Sequence, residues 1–220
     1  MADSRLPTGS HAHSGGVEAA VQRGLLRDEA DLALFLAGRL RGSGPVLAAV
    51  AATGCLLTAD TDPEWARWDA AASARIPSAA MREASRAQGA ALLRTARRVW
   101  PSDALDALSQ AGRPHHALVL GAVVAAVGDG PDAAALLALH HLLGGACSAA
   151  VRLLGLDPIA VAAVQAHAAG SAEQVARAAT QVASEVVTQR DTGLLPSTGT
   201  PLPEVLAELH ARMEVTLFAS

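Results

Sequence analysis

The fold is decided by residues 115–154, HHALVLGAVVAAVGDGPDAAALLALHHLLGGACSAAVRLL. His115 to Val127 is apolar on almost every side. Gly128-Asp129-Gly130-Pro131 then breaks the chain, and Asp132 to Leu154 is Ala and Leu again, with Gly144-Gly145 as a place for a bend. These runs are too long for strands and lack apolar/polar alternation, and Ala and Leu are strong helix formers. Helices apolar all round belong inside a larger bundle or a membrane. Ala133 to Val151 is the stretch to weigh as a span, but His140 and His141 stand near its middle and its hydropathy rests on Ala and Gly. It is expected to be a buried helix, one that an oligomer interface could also cover.

Working outward, caps and prolines divide the rest of the chain into helices. Gly16 to about Leu26 follows a cap at Ser14 or Gly15, with Glu18 in the first turn. Asp28 opens a helix through Arg41, ended by Gly42-Ser43-Gly44-Pro45. Val46 to Ala59 is apolar all round and should be central. Asp62-Pro63-Glu64 and Pro77-Ser78 restart the chain, and Ser78 to Val99 is a long helix with Arg on its outer face. Pro101-Ser102-Asp103 and Arg113-Pro114 bracket a short one. Asp157-Pro158 opens another helix and Ser171-Ala172-Glu173 the one after it. Strand and hairpin signals are missing. The expectation is an all-α fold, a single globular bundle of roughly ten helices over 1–220. Residues 190–203, rich in Gly, Pro, Ser and Thr, form a flexible loop, and 204–220 a last helix and a docking tail.

Composition narrows the function. The 220 residues are 51% hydrophobic and 17% charged, enough for a substantial core. All 17 basic residues are Arg, and Ala abounds, a coding bias that favours helices throughout. A net charge of -4 and 2% aromatics supply neither the basic surface nor the stacking platform of a nucleic-acid binder. Cys55 and Cys147 sit in small apolar stretches with no CxxC, so they are read as buried thiols in a reducing compartment. No charged-then-apolar leader opens the sequence, and the expected location is the cytoplasm.

Two segments stand apart from this Ala-Leu background. Arg5-Leu6-Pro7-Thr8-Gly9-Ser10-His11-Ala12-His13-Ser14-Gly15-Gly16 is polar and glycine-rich and leads into a helix. A phosphate loop would need Gly-Lys-Ser/Thr, and there is no Lys. His11 and His13 share a face if the segment is extended, but two ligands are too few for a stable metal site. A partner-binding loop is the favoured reading. His115-His116 and His140-His141 are neighbours that cannot face one site together on a helix, and are read as packed or capping groups. The tail from His210 to Ser220 ends on Leu217-Phe218, an apolar terminus that suggests docking onto this chain or onto a partner.

Both segments resemble signatures of the UreF urease accessory family. RLPTGSHAHSGGVEAAV, Arg5 to Val21, is similar to that family's opening motif in its actinobacterial branch. His210-x-x-Met213 with Leu217-Phe218-x-Ser220 is similar to its ending. SRAQGAALLR (Ser85 to Arg94), HHALVLGAVVAAVG (His115 to Gly128) and GGACSAAVRLLGLDP (Gly144 to Pro158) resemble its middle.

The resemblance implies an all-α, commonly dimeric protein without catalysis or cofactor of its own. It would bind UreD (also called UreH), recruit and modulate the GTPase UreG, and engage the urease apoprotein for nickel insertion. It also implies that Arg5, Pro7, Gly9, His11, His13, Ser14, Gly15, Glu18, His210, Met213, Leu217, Phe218 and Ser220 lie at or near partner surfaces. Two departures stand out. Only Met1 to Ser4 precede the opening motif, where the family usually has an apolar helix. Thr216 and Ala219 flank Leu217-Phe218, where the family often has Arg. The alternatives are a nickel-binding metallochaperone using His11 and His13, and an unrelated helical enzyme or ligand-binding bundle.

Overall fold

The computed structural model describes residues 15–211. Over that range the chain forms ten α-helices and no strand: α1 Val17–Gln22, α2 Glu29–Arg41, α3 Ser43–Leu56, α4 Trp65–Ser73, α5 Ala79–Val99, α6 Asp103–Gln110, α7 His116–Ala126, α8 Pro131–Leu154, α9 Pro158–Gln189 and α10 Pro201–His210. The all-α expectation holds. Several starts are fixed by the capping side chains that the sequence proposes. Asp28 accepts from the amide of Asp31 at 2.9 Å, Ser78 from Met81 at 3.1 Å, Ser102 from Leu105 at 3.3 Å and Asp157 from Ile159 at 3.0 Å. Each cap satisfies one of the amides that a helix start leaves without an intrahelical acceptor.

The centre is α3, packed by α7, α8 and α9. That placement follows from its sequence, since Val46 and every residue from Ala48 to Cys55 are buried and no polar face is available to meet water. Two glycines set its approach to α7. A Cβ on Gly54 would run into the carbonyl of Leu118, and one on Gly121 into the carbonyl of Ala51. The helices therefore touch backbone to backbone. Around this pair α5 and α6 cover α7, α2 lies on α9 and α3, and α1 rests on α8 and α10. Fully buried Leu32, Leu36, Leu118, Leu120 and Leu139 fill the spaces between. Each contributes about 1.5–3 kcal/mol of burial free energy, opposed by the entropy of ordering the chain.

Three local expectations change. Only Gly42 interrupts α2 and α3, and α3 begins at Ser43, so that Pro45 is in its first turn but is not its first residue. A first-turn proline lacks only an amide that would have no intrahelical partner. The start of α4 is set by Glu64 in a left-handed conformation, φ 44°, and not by a cap at Asp62. Helix α9 is unbroken across Gly170-Ser171. Its buried stripe Ala172, Ala176, Ala179, Ala183, Val186 keeps helical spacing, and the Ala-rich flanks carry the helix through Gly170.

By length and composition α8 could cross a membrane, with mean hydropathy 1.6 over its most apolar window. Of that window 56% is buried inside the bundle, so α8 is a core helix here. The stretch 190–203 holds a 3-10 turn at Thr192–Leu194. Arg75 donates to the carbonyls of Thr192 at 2.6 Å and Pro196 at 2.9 Å. The Thr198 hydroxyl donates to the Gly42 carbonyl at 2.6 Å.

Candidate partner-binding site

Gly15 and Gly16 both have positive φ, 59° and 90°. This left-handed pair turns the chain into α1, a geometry that costs side-chain-bearing residues energy and glycine almost nothing. The Gly15 carbonyl accepts from an Arg39 Nη1 at 2.6 Å, and a Cβ on Gly15 would strike that same guanidinium. Ser14, the alternative cap, lies outside the described residues, and Gly16 is the N-cap without a side-chain bond. Glu18 follows in the first turn of α1, the helix end that favours a negative charge.

Glu18 is 2% exposed and His210 is 2% exposed. Their side chains meet, with His210 Nε2–H donating to Glu18 Oε2 at 2.8 Å. His210 is the last residue of α10, so this bond ties the end of the opening motif to the start of the closing one. Of the residues expected at partner surfaces, the structure brings together Gly15, Glu18 and His210. Arg5, Pro7, Gly9, His11, His13, Ser14, Met213, Leu217, Phe218 and Ser220 lie outside the described residues.

Beside this junction is a cavity of about 180 Å³, lined by Gly15, Arg39, Arg75, Gln88, Thr200 and Glu204 among others. His116 and His141 also face it, their ring centroids 5.7 Å apart. One member of each adjacent His pair thus meets the other across α7 and α8, a pairing that sequence spacing does not reveal. The remaining member of the first pair, His115, caps α7 in the core. Its amide donates to Asp69 Oδ1 at 2.7 Å, its Nδ1 lies 3.1 Å from the Ser85 hydroxyl, and burial pushes its pKa down to about 4. Arg86 completes the cluster with an ion pair to Asp69 at 2.9 Å.

Two further features describe the chemistry of these residues. Among the described residues no cluster of three or more His, Cys, Asp or Glu could hold a metal ion. Cys55 and Cys147 are buried, and burial pushes both thiols up to about 11, far from the thiolate a nucleophile or metal ligand needs.

Sequence reading missed Arg39. The signal was present, because Leu32, Leu36, Arg39 and Leu40 recur at helical spacing and place the arginine on the inward face of α2.

Likeness to known proteins gives the family. The UreF family model matches residues 26–169. A urease accessory protein UreF of Mycolicibacterium vanbaalenii is 44% identical over 223 residues, covering 100% of this chain and 96% of the relative. Those of Mycobacterium marinum, at 40% identity, and Mycobacterium tuberculosis, at 39%, cover the same shares. Likeness of this extent over the whole chain sets aside an unrelated helical enzyme or ligand-binding bundle. The chain belongs to the UreF family of urease accessory proteins, helpers of an enzyme and not enzymes themselves.

Proposed function

We propose that this chain is a cytoplasmic scaffold that binds UreD/UreH and recruits and modulates the GTPase UreG, so that nickel is inserted into the urease apoprotein. A homodimer is the proposed core of that assembly. The observation that carries the reading is the Glu18–His210 bond. Glu18, near the end of the opening motif, meets His210, the first residue of the closing one, and this contact supports a composite docking surface. The Arg5–Glu18 segment and the tail through Leu217 and Phe218 then act together on a partner.

The test is urease activation in cells lacking this chain, with urease-bound nickel measured directly. The expected result is urease with little nickel and low activity, both restored by the wild-type chain. Full nickel loading without the chain would overturn the proposal.

A further inference from the structure

Residues 191–200, between α9 and α10, are pinned at both ends and lightly held in the middle. At the first end Arg190 caps α9 in a left-handed conformation, φ 50°. Its guanidinium donates to the Asp62 carbonyl at 2.6 Å and pairs with Glu64 at 3.3 Å, while Arg67 donates to the Arg190 carbonyl at 2.7 Å. A left-handed residue other than glycine persists only where its surroundings hold it, so this end is firm. At the second end the Thr200 hydroxyl oxygen accepts from the Ser43 amide at 2.8 Å. The Thr200 amide donates to Glu204 at 3.0 Å, at the start of α10.

Between these ends the hold is sparse. Ser197, Thr198 and Gly199 are exposed, and their amides make no hydrogen bond to the described residues. Leu195 supplies a buried side chain. The carbonyls of Thr192, Leu195 and Pro196 all accept from one guanidinium, that of Arg75, at 2.6, 3.0 and 2.9 Å. Arg75 is itself braced by donating to the Ala71 carbonyl of α4 at 2.9 Å. The other tie in the middle is the Thr198 hydroxyl, which donates to the Gly42 carbonyl at 2.6 Å. Segments with few apolar contacts and exposed main chain are the ones that open while the rest stays folded.

The segment also forms a wall of the cavity. Thr198, Thr200 and Arg75 line it, together with Val46 of α3, Leu142 of α8 and the partly buried Met81 of α5. Gly42 lets the segment lie close. A Cβ on Gly42 would run into the Thr200 side chain and stand 2.6 Å from the Gly199 carbonyl oxygen. Its φ of -91° lies outside the left-handed region, so the missing side chain serves the close approach and not the backbone.

We infer that residues 191–200 form a lid on this cavity, latched by Arg75 and seated on Gly42, which lifts between its fixed ends while the bundle stays folded. One guanidinium gathers three carbonyls, so its loss frees the whole middle of the segment. Lifting withdraws Leu195 and Thr198 and opens the apolar walls to solvent. The 3-10 turn at Thr192–Leu194 then frays, because a single turn does not hold alone. The lid follows from the fold and does not depend on the proposed assembly.

Hydrogen exchange of the full chain, read peptide by peptide, tests the lid. Oxidation of Met81 by dilute hydrogen peroxide reports on the cavity. Arg75→Met removes the latch without altering the segment, and Gly42→Ala crowds the seat from the junction of α2 and α3. Each should speed exchange in 191–200 about tenfold or more, the scale of a lost charge-assisted bond, and raise the Met81 oxidation rate at least about threefold. Exchange in α7 should stay at the wild-type rate. Gly38→Ala, a change in α2 with open space around it, should match the wild type in both readouts. If Arg75→Met does not fold, Gly42→Ala decides. Unchanged exchange of 191–200 in either folded variant, an equal acceleration in α7 or in Gly38→Ala, or unchanged Met81 oxidation would overturn the lid.

Discussion

His210 and Glu18 lie 192 residues apart in the chain and meet side chain to side chain at 2.8 Å in the interior. A buried imidazole–carboxylate bond costs more to break than an exposed one, because what remains has been removed from water. His210→Ala and Glu18→Ala should each lower stability by about 1–3 kcal/mol. The double variant should cost much less than the sum, since both remove the same bond. Denaturant melts of the four chains check this, and strict additivity would mean that the bond contributes nothing.

Asp69 serves two masters in the core, the amide of His115 at 2.7 Å and the guanidinium of Arg86 at 2.9 Å. Asp69→Ala strips the buried amide of its acceptor and the arginine of its counter-charge. The expected loss is about 2–4 kcal/mol, while Asp69→Asn, which keeps an oxygen for the amide, should cost less. Equal losses in the two variants would show that the charge at Asp69 decides everything and the amide bond nothing.

The low pKa of His115 gives stability a pH dependence of known sign. Burial holds the folded imidazole neutral down to about 4, with Asp69 opposing that shift and Arg86 and Arg82 adding to it. The unfolded chain takes up the proton near pH 6.5. Between those values the unfolded state binds more protons, so stability falls as pH falls, by up to about 1.4 kcal/mol per unit and about 3 kcal/mol in all. His115→Asn should flatten the profile in that window. A wild-type stability that does not decline from pH 6.5 to pH 4 would contradict the buried neutral form.

The α3–α7 crossing depends on missing side chains. Gly121→Ala places a methyl group against the Ala51 carbonyl, a backbone atom that cannot swing aside. The helices must separate, and the loss should exceed about 2 kcal/mol. Gly128→Ala is the control for a glycine with open space around it, where the cost is that of its φ of +87°. Thermal melts of the two distinguish crowding from backbone strain, and Gly121→Ala is expected to be the worse.

The helices were legible because their caps and apolar runs are local. Ser78, Ser102 and Asp157 act within three residues of themselves, so a linear reading finds them. The Ser171-Ala172-Glu173 start was misread for the same reason, since a capping triplet reads identically inside and at the end of a helix. Only the continuing stripe of buried alanines reveals which. Long-range geometry was not legible. Nothing in the sequence joins Glu18 to His210 or His116 to His141, and Asp69 reads as an ordinary exposed acid until His115 is laid against it. Arg39 could have been found from the apolar stripe of α2, but not its bond to the Gly15 carbonyl, which depends on how the chain folds back.

His11 and His13 give the metallochaperone alternative a direct check. Equilibrium dialysis with nickel on the wild type and on a His11→Ala/His13→Ala chain should return the same bound metal, because two imidazoles make too small a ligand set. A clear loss of bound nickel in the double variant would move the function from scaffold to carrier.

The central claim is that the opening and closing segments form one partner surface joined through Glu18 and His210. The most direct measurement is co-purification of UreD and UreG with three forms of this chain: wild type, Glu18→Ala, and a chain lacking Glu214 to Ser220. Both partners should be retained by the wild type and lost from the truncated chain, with Glu18→Ala reduced although still folded. Undiminished recovery of both partners with the truncated chain and with Glu18→Ala would contradict the account.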